Sequence, residues 1–342
     1  MFVDTRQIPT DSMLETDVCI VGGGAAGIAI ALELIGSGRR VMLLESGGHE
    51  FDDDTQALYQ GARTGFPYFD LDACRLRFFG GTTNHWSGWC RPLDPGDFAA
   101  RPWVDEPGWP IGYDDLAPYY ARAGALVELP EQSFGIDHWE TLERSSGGRM
   151  ARLPLEPEQF ETVIFQTSPP TRFGEAFRER LARASDVSVY LHANLMEIVP
   201  ADAGRQIEEL RVGTLSGVRL GVRARHVVLA AGGIENARLL LLSRGREPNG
   251  LGNANDLVGR YFADHIELAS GYALFSVPVA PFRWYVAGSH RAVAALRLAP
   301  GAQEARGTRS AVLTMHQVRD TTETSVGFGS LRRIARAVQQ RS

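Results

Sequence analysis

Residues 17–45 read DVCIVGGGAAGIAIALELIGSGRRVMLLE. Residues 17–21, apolar after Asp17, predict a short buried strand, and the nearly all-apolar stretch 25–35 predicts a buried helix that glycine follows. A second strand is predicted at 41–45, and it closes on Glu45. Between the first strand and the helix, Gly22, Gly24 and Gly27 follow the GxGxxG spacing, and Glu45 lies about 20 residues beyond them. The order of these parts indicates a Rossmann-type unit.

Each glycine in this unit meets a separate steric requirement. Gly22 permits the tight turn, Gly24 lets the backbone approach a pyrophosphate, and Gly27 lets the helix pack closely on the strand. The helix N terminus presents unpaired N–H groups and the positive end of its dipole to the phosphates. Glu45 stands where a carboxylate accepts a hydrogen bond from a ribose hydroxyl. The unit therefore predicts a dinucleotide site, and its N-terminal position with the ESGG that starts at Glu45 favours FAD over NAD.

Composition excludes several classes of function. The 342 residues suffice for about two domains, the formal net charge is −6, and all 35 basic residues are Arg. Without Lys there is no Schiff-base lysine and no standard P-loop, and the negative charge argues against nucleic-acid binding. Three cysteines without CxxC spacing predict neither a disulfide framework nor a metal site. No signal peptide and no apolar run of about 18 residues is visible, so we expect a cytoplasmic protein without a membrane span.

A second glycine pair opens residues 78–93, FFGGTTNHWSGWCRPL. Gly80 and Gly81 permit close approach of the backbone. Small hydrogen-bonding side chains and then large rings follow in one short loop: Thr82, Thr83, Asn84, His85, Trp86 and Trp89. Aromatic rings and a histidine directly behind two glycines are unusual for a plain surface loop.

The stretch GGTTNHW resembles the flavin-contacting loop of the glucose-methanol-choline oxidoreductase family. Its His-Trp form is similar to the pyranose oxidase and gluconate/fructose dehydrogenase branch, although Trp86 stands where the broader family has Asn. Residues 108–123, a turn and then a helix capped by Asp114 or Asp115, match the same branch. The resemblance implies FAD as cofactor, contacted by Gly81, Thr82, Asn84 and His85. In pyranose oxidase and choline oxidase the histidine at the place of His85 is bonded to the flavin, so a covalent bond and a non-covalent contact both stay open.

The pattern of 173–243 predicts a second nucleotide-contacting segment. We expect an amphipathic helix at 173–185, a strand at 187–199 broken near Asn194, and two strands at 208–212 and 218–224 after a polar hairpin. Residues 224–243, ARHVVLAAGGIENARLLLLS, predict a buried strand, a glycine turn and a helix. They resemble the family's second signature, with Asn236-Ala237 where the family commonly has Ser-Pro. By position, the resemblance implies that Leu195 and Ala231 contact the cofactor, Leu195 through its backbone at the adenine.

The resemblance implies an α/β fold with a discontinuous FAD-binding domain at 1–100 and 170–266. A lid or substrate-side insertion is expected at 101–169. The start of an α+β substrate-binding domain, with an antiparallel sheet that is incomplete here, is expected at 267–342. Alternating patterns predict its strands at 270–277, 292–298 and 310–318, and 330–342 predicts a basic, solvated end.

The implied activity is oxidation of the CH–OH group of a small sugar or alcohol by hydride transfer to flavin N5, and the electron acceptor is left open. The family's base lies in an HxxGTxRMG-like stretch that this sequence does not contain, so we assign no catalytic residue and expect this chain alone to oxidise no alcohol at a meaningful rate. Asp264 and His265 lie in a stretch that is structural in the family. Two alternatives remain, a non-catalytic FAD-binding fragment and another FAD enzyme such as a monooxygenase, against which GGTTNHW argues.

Overall fold

A computed structural model describes residues 1–104, 108–146, 151–201, 206–264, 267–268, 271, 280–286 and 291–316. Within these ranges the α-helices are α1 (Ala25–Leu34), α2 (Asp53–Ala57), α3 (Tyr113–Leu126), α4 (Ile136–Ser145), α5 (Phe173–Ala176), α6 (Arg178–Arg183), α7 (Gly233–Leu242) and α8 (Pro300–Arg306). The strands are β1 (Phe2–Asp4), β2 (Ser12–Val21), β3 (Val41–Leu44), β4 (Trp89–Cys90), β5 (Phe160–Thr167), β6 (Val187–Leu191), β7 (Asn194–Pro200), β8 (Ile207–Gly213), β9 (Arg219–Leu229), β10 (Ala292–Leu298) and β11 (Val312–Leu313).

A mixed sheet carries the Rossmann unit, in the order β1-β6-β3-β2-β9-β8-β7. The strands from β1 to β9 in that order pair in parallel, and β8 and β7 extend the sheet by antiparallel pairing. β2 is central, with β3 on one side and β9 on the other. The carboxyl ends of these parallel strands lie at one edge of the sheet, where open α/β sheets bind ligands.

The continuous apolar runs of β2 and β3 reflect burial on both faces of this sheet. Val18 and Ile20 belong to the apolar cluster that contains Ile28 of α1, whereas Cys19 and Val21 belong to the cluster that contains Leu239 of α7. Successive side chains of a strand point to opposite faces, so every position of such a strand is apolar. Helices therefore cover the sheet on both sides, as predicted for an α/β fold.

A second, antiparallel sheet has the order β11-β10-β5-β4. β10 pairs with β5 from Ala292 opposite Gln166 to Leu298 opposite Phe160. Its apolar cluster includes Trp139, Ile164, Trp284 and Tyr285, all almost fully buried. The predicted strand at 292–298 is confirmed as β10, and the predicted antiparallel sheet is confirmed with it.

The chain forms two compact units. Unit 1 comprises the described residues within Met1–Trp89, Arg122–Leu129 and Ser168–Tyr272, and unit 2 those within Cys90–Ala121, Pro130–Thr167 and Ala273–Ser342. β5 comes from the segment predicted as an insertion, and β10 from the segment predicted as the start of the substrate-binding domain. The functional division at residues 100, 169 and 266 stays a prediction.

Several elements differ in detail from the sequence-based expectation. The helix expected over 173–185 is two short helices, because the backbone leaves helical geometry at Phe177, whose ring packs in the core 5.1 Å from Phe173. The strand over 187–199 is broken as expected, but the break lies at His192, which has a positive φ of 60°, and the second strand begins at Asn194. Asp115, expected as a cap, lies in the first turn of α3 and accepts the Gly112 N–H at 2.7 Å.

Some expectations fall on residues that the structure does not describe. His265 and the basic end at 330–342 lie outside the described residues, as does the predicted strand at 270–277 apart from Gly271. Of the predicted strand at 310–318, residues 310–316 are described, and β11 lies within them.

Candidate functional site

The glycines of the turn after β2 differ in the space that surrounds them. A Cβ on Gly22, whose φ is 109°, would lie 2.6 Å from the carbonyl oxygen of Ala230, and a Cβ on Gly27 would lie 1.9 Å from that of Gly22. Real Cβ atoms do not approach so closely, so these two glycines are required by the packing of β2, β9 and α1. A Cβ on Gly24 would meet nothing within 4 Å. The space in front of Gly24 is therefore open, as a ligand that approaches the backbone requires.

The N terminus of α1 faces this open space. Gly24 is the N-cap residue, and the first intrahelical bond runs from the Ile28 N–H to the Gly24 carbonyl at 2.9 Å. The N–H groups of residues 25–27 precede that bond and have no intrahelical acceptor. Together with the positive end of the helix dipole, they suit an anionic group such as a diphosphate.

Glu45 is buried at the end of β3, with 5% of its surface exposed. Its Oε2 accepts the Gly23 N–H at 2.9 Å, and its Oε1 accepts the Gly47 N–H at 2.8 Å and the Ser46 hydroxyl at 3.3 Å. A carboxylate has about four lone-pair positions, so Oε2 keeps capacity for a further donor. The two backbone donors fix the carboxylate beside the glycine turn, where a ribose hydroxyl can supply that donor. Gly23 and Gly47 were not among the predicted site residues, although Gly23 lies in the glycine turn of the predicted unit and Gly47 follows just after it.

The loop that begins at Gly80 lies directly on the glycine turn. The Gly80 N–H donates to the Gly23 carbonyl at 2.8 Å, and a Cβ on Gly81 would lie 3.0 Å from the Gly24 Cα. Residues Gly81–His85 form a 3-10 helix in which Thr82 is half-buried. The structure thus brings the two predicted glycine motifs into contact.

Thr83, which was not among the predicted site residues, holds this loop in place. It is 1% exposed, its hydroxyl donates to the Gly80 carbonyl at 2.7 Å, and it accepts the Phe173 N–H at 3.1 Å. Arg172 donates from Nη1 to the Thr83 carbonyl at 2.7 Å. The Asn84 side chain donates to the Phe79 carbonyl at 3.1 Å, so its amide also braces the loop.

His85 ends the 3-10 helix with an exposed side chain, while the ring of Trp86 packs edge-on against Phe173 at 5.7 Å. Partial burial lowers the pKa of His85, and the positive charge of Arg172 lowers it further. The ordinary pKa of histidine is about 6.5, so the imidazole is mainly neutral at pH 7. A neutral ring offers one nitrogen as an acceptor or nucleophile.

The remaining predicted positions, Leu195 and Ala231, share the apolar cluster on the α7 side of the sheet. The Ala193 N–H donates to the Glu45 carbonyl at 2.8 Å. This bond holds the segment just before Leu195 against the end of β3. A Cβ on Gly22 would lie 2.8 Å from the Ala231 Cα. The predicted positions of β3, β7 and β9 therefore converge on the same edge of the sheet.

Asn236 bridges the turn before α7. Its Oδ1 accepts the Ala231 N–H at 3.0 Å, and its Nδ2 donates to the Leu229 carbonyl at 3.2 Å. This pair of bonds gives a physical role to the side chain that stands where the resembled family commonly has Ser.

The family described as FAD dependent oxidoreductase matches residues 17–248, a span that contains every candidate residue above. The chain belongs to this family. FAD is accordingly the cofactor of this family. The open space at Gly24 and the α1 N terminus suit its diphosphate, and the oriented Glu45 carboxylate suits a ribose hydroxyl. Among the described residues, no helix of this FAD dependent oxidoreductase is long and apolar enough to cross a membrane.

Relatives of this oxidoreductase include enzymes named for small alcohols and sugars. This chain is 27% identical over 322 residues to 2-methyl-1,2-propanediol dehydrogenase of Mycolicibacterium austroafricanum, and the match covers 75% of this chain and 56% of the relative. It is 24% identical over 325 residues to the fructose dehydrogenase large subunit of Gluconobacter japonicus, covering 75% and 59%. The chain thus spans somewhat more than half the length of these curated relatives.

Among solved structures, pyridoxine 4-oxidase from Mesorbium loti matches at 22% identity. The match covers 66% of this chain and 51% of that one, with a TM-score of 0.40.

Proposed function

We propose that this FAD dependent oxidoreductase is of the glucose-methanol-choline type and oxidises the CH–OH group of a small sugar or other alcohol to a carbonyl. Bound FAD supplies the hydride acceptor at flavin N5. The observation that carries the proposal is the contact between the two glycine motifs, in which the Gly80 N–H donates to the Gly23 carbonyl at 2.8 Å. That contact places GGTTNHW, the stretch on which the resemblance to this type depends, against the dinucleotide turn.

Different residues of the chain bind different parts of FAD. The α1 N terminus at Gly24 binds the diphosphate, and Glu45 accepts from the adenosine ribose. The backbone at Leu195 and Ala231 borders the adenine. Gly81, Thr82, Asn84 and His85 lie at the flavin end, where the 3-10 helix fixes them and Thr83 and Arg172 hold that helix. In the same proposal, 1–100 and 170–266 bind FAD, 101–169 is a substrate-side insertion, and 267–342 begins the substrate-binding domain.

His85 is proposed to contact the flavin ring. Whether His85 is covalently bonded to the flavin is measured separately. Its exposed, mainly neutral imidazole is available either to hydrogen-bond the ring or to carry a covalent bond. FAD-loaded protein is precipitated with acid, and the pellet is weighed by intact-mass spectrometry. A flavin-sized mass increase that is absent from His85→Ala assigns a covalent bond. Flavin recovered quantitatively in the supernatant, with weaker retention in His85→Ala, assigns a non-covalent contact, and equal retention in the two proteins contradicts the role of His85.

The relatives' names support the substrate class, since one is named for a diol and the other for a sugar. The test uses the FAD-loaded protein, expressed from its complete reading frame, under anaerobic conditions. We expect a panel of polyols and sugars, including fructose and 2-methyl-1,2-propanediol, to contain a compound that bleaches the oxidised flavin and yields one carbonyl product per flavin. Reduction by NADPH, with no alcohol active, would instead support the monooxygenase alternative and overturn this proposal.

A further inference from the structure

One arginine joins the two sides of the segment that carries His85. Arg172 donates from Nη1 to the Thr83 carbonyl at 2.7 Å and to the Trp86 carbonyl at 3.3 Å. Thr83 lies two residues before His85, and Trp86 follows it directly. The Arg172 side chain therefore bridges the backbone on both sides of His85 and fixes the path of residues 83–86.

The backbone of Arg172 is held against the same segment. Arg172 is partly buried and is the N-cap residue of α5. The next residue, Phe173, donates its N–H to the Thr83 hydroxyl at 3.1 Å, and its ring packs edge-on against Trp86 with centroids 5.7 Å apart. The protein itself thus sets the position of the guanidinium beside His85.

The positive charge of Arg172 is not neutralised by a carboxylate. Within the part of the chain that the structure describes, Arg172 forms no ion pair, and both acceptors of its Nη1 are neutral backbone carbonyls. Arg183, one helix further along the chain, is instead exposed and paired with Glu179 at 2.7 Å. A partly buried charge without a counter-charge acts on its neighbours with little screening, whereas an exposed ion pair does not.

The charge of Arg172 acts on the imidazole of His85. Partial burial lowers the pKa of His85 and Arg172 lowers it further, and Arg172 is the charged side chain that faces this imidazole among the described residues. A neutral imidazole keeps one nitrogen with a free lone pair, whereas an imidazolium has two donors and no acceptor. A proton on His85 would therefore remove the atom with which it can accept a hydrogen bond or form a covalent bond.

We propose that Arg172 is the positioning residue of His85: its two hydrogen bonds fix residues 83–86, and its uncompensated charge keeps a proton off the imidazole. His85 then meets the flavin end of the site with a free lone pair at neutral and mildly acidic pH. The inference rests on the proposed function, in which His85 contacts the flavin ring, and it adds the residue that keeps His85 able to make that contact.

The first test uses the protein without FAD. Histidine NMR follows the His85 imidazole against pH, and His85→Gln assigns its signal. We expect the wild-type midpoint to lie below that of an unfolded histidine, about 6.5, and to move to higher pH in Arg172→Gln, which removes the charge but keeps a donor. Arg172→Lys, which keeps the charge, and Arg183→Gln, which removes a paired arginine, should leave the midpoint at its wild-type position.

Either of two results of this titration would overturn the proposal. One is a His85 midpoint that is the same in wild type and in folded Arg172→Gln. The other is a wild-type midpoint at or above that of unfolded histidine, which decides the question even if Arg172→Gln does not fold.

The second test measures FAD affinity by calorimetry at pH 6 and at pH 8. We expect the affinity of Arg172→Gln to be about threefold or more weaker at pH 6 than at pH 8, while the wild type changes clearly less. Adding His85→Gln to Arg172→Gln should abolish that pH dependence. If the flavin is covalently bonded, the attached fraction after loading at each pH replaces the affinity.

A purely structural role of Arg172 would weaken FAD binding by the same factor at both pH values, and that result would overturn the assignment of its charge. Failure of the folded wild-type chain to bind FAD at either pH would instead refute the proposed function. The two failures are therefore distinguishable.

Discussion

At the scale of single residues, the glycine turn offers two alanine substitutions with opposite outcomes. Gly24→Ala adds a Cβ to open space at a φ of −89°, so we expect the free energy of unfolding to fall by less than about 1 kcal/mol and FAD affinity to fall about 10-fold or more. Gly27→Ala drives a Cβ to 1.9 Å from a backbone oxygen, and we expect a loss of about 3 kcal/mol or more. Urea unfolding and flavin fluorescence measure both. Equal stability losses in the two variants would contradict the assigned roles.

The cofactor-binding residues that lie close together in sequence were the part of the site that could be predicted best. GxGxxG and the terminal Glu45 specify a local path of the backbone, and residues close in sequence determine it. The supports of the site could not be predicted in the same way. Arg172 reaches the Thr83 carbonyl across the fold, and Asn194 pairs with Arg77 from another strand, so nothing in the local pattern of either residue reveals its partner.

At the scale of elements, the 3-10 helix Gly81–His85 depends on one buried hydroxyl. Thr83→Val keeps the shape but removes the acceptor of the Phe173 N–H and the donor to the Gly80 carbonyl. We expect a loss of about 1–3 kcal/mol in chemical denaturation, whereas Thr82→Val, at a half-buried neighbour, should lose clearly less. Indistinguishable denaturation midpoints for the two variants would show that Thr83 does not hold the loop.

Helix α7 carries a pH dependence through Glu235. Burial raises the pKa of this carboxyl, but the hydrogen bonds and charges of Arg238 and Arg77 outweigh burial and place the pKa below its ordinary value. An unfolded Glu has a pKa of about 4.3, so the contribution is present above that pH and is lost as pH falls through the lower folded value. We expect wild-type stability to drop more steeply than that of Glu235→Gln between about pH 5 and pH 3. Parallel pH profiles from thermal melts of the two proteins would contradict this assignment.

The elements themselves were predictable where periodicity extends over several turns or strand residues. The break expected near Asn194 is confirmed, and it lies at His192, where the backbone is in the left-handed region. The interruption at Phe177 was not predicted, since the packing of its partly buried ring against the core is set by neighbouring helices and strands. The short strand β1 escaped prediction for the same reason, because it is held by pairing with β6 and by the bond from the terminal amino group to the Val187 carbonyl.

At the scale of the whole molecule, the α/β class followed from the sequence because β2 ends in the apolar run 18–21 and β3 is apolar at every position, as two-sided burial demands. The strand composition of the second sheet did not follow. β5 and β10 come from segments more than 100 residues apart, and only the three-dimensional structure pairs them. The alternation of polar and apolar residues in each segment predicts a strand, but it does not predict the strand with which that segment pairs.

FAD binding at the turn of Gly24 and Glu45 is measured by titrating the purified chain with FAD and with NAD while its melting temperature is followed. We expect one FAD per chain, an absorbance spectrum of bound oxidised flavin, and a rising melting temperature, since FAD at about a hundred times its Kd stabilises the native state by about 2.7 kcal/mol. NAD should leave the melting temperature unchanged. A folded chain that is stabilised by NAD, or by neither dinucleotide, would show that this turn is not an FAD site.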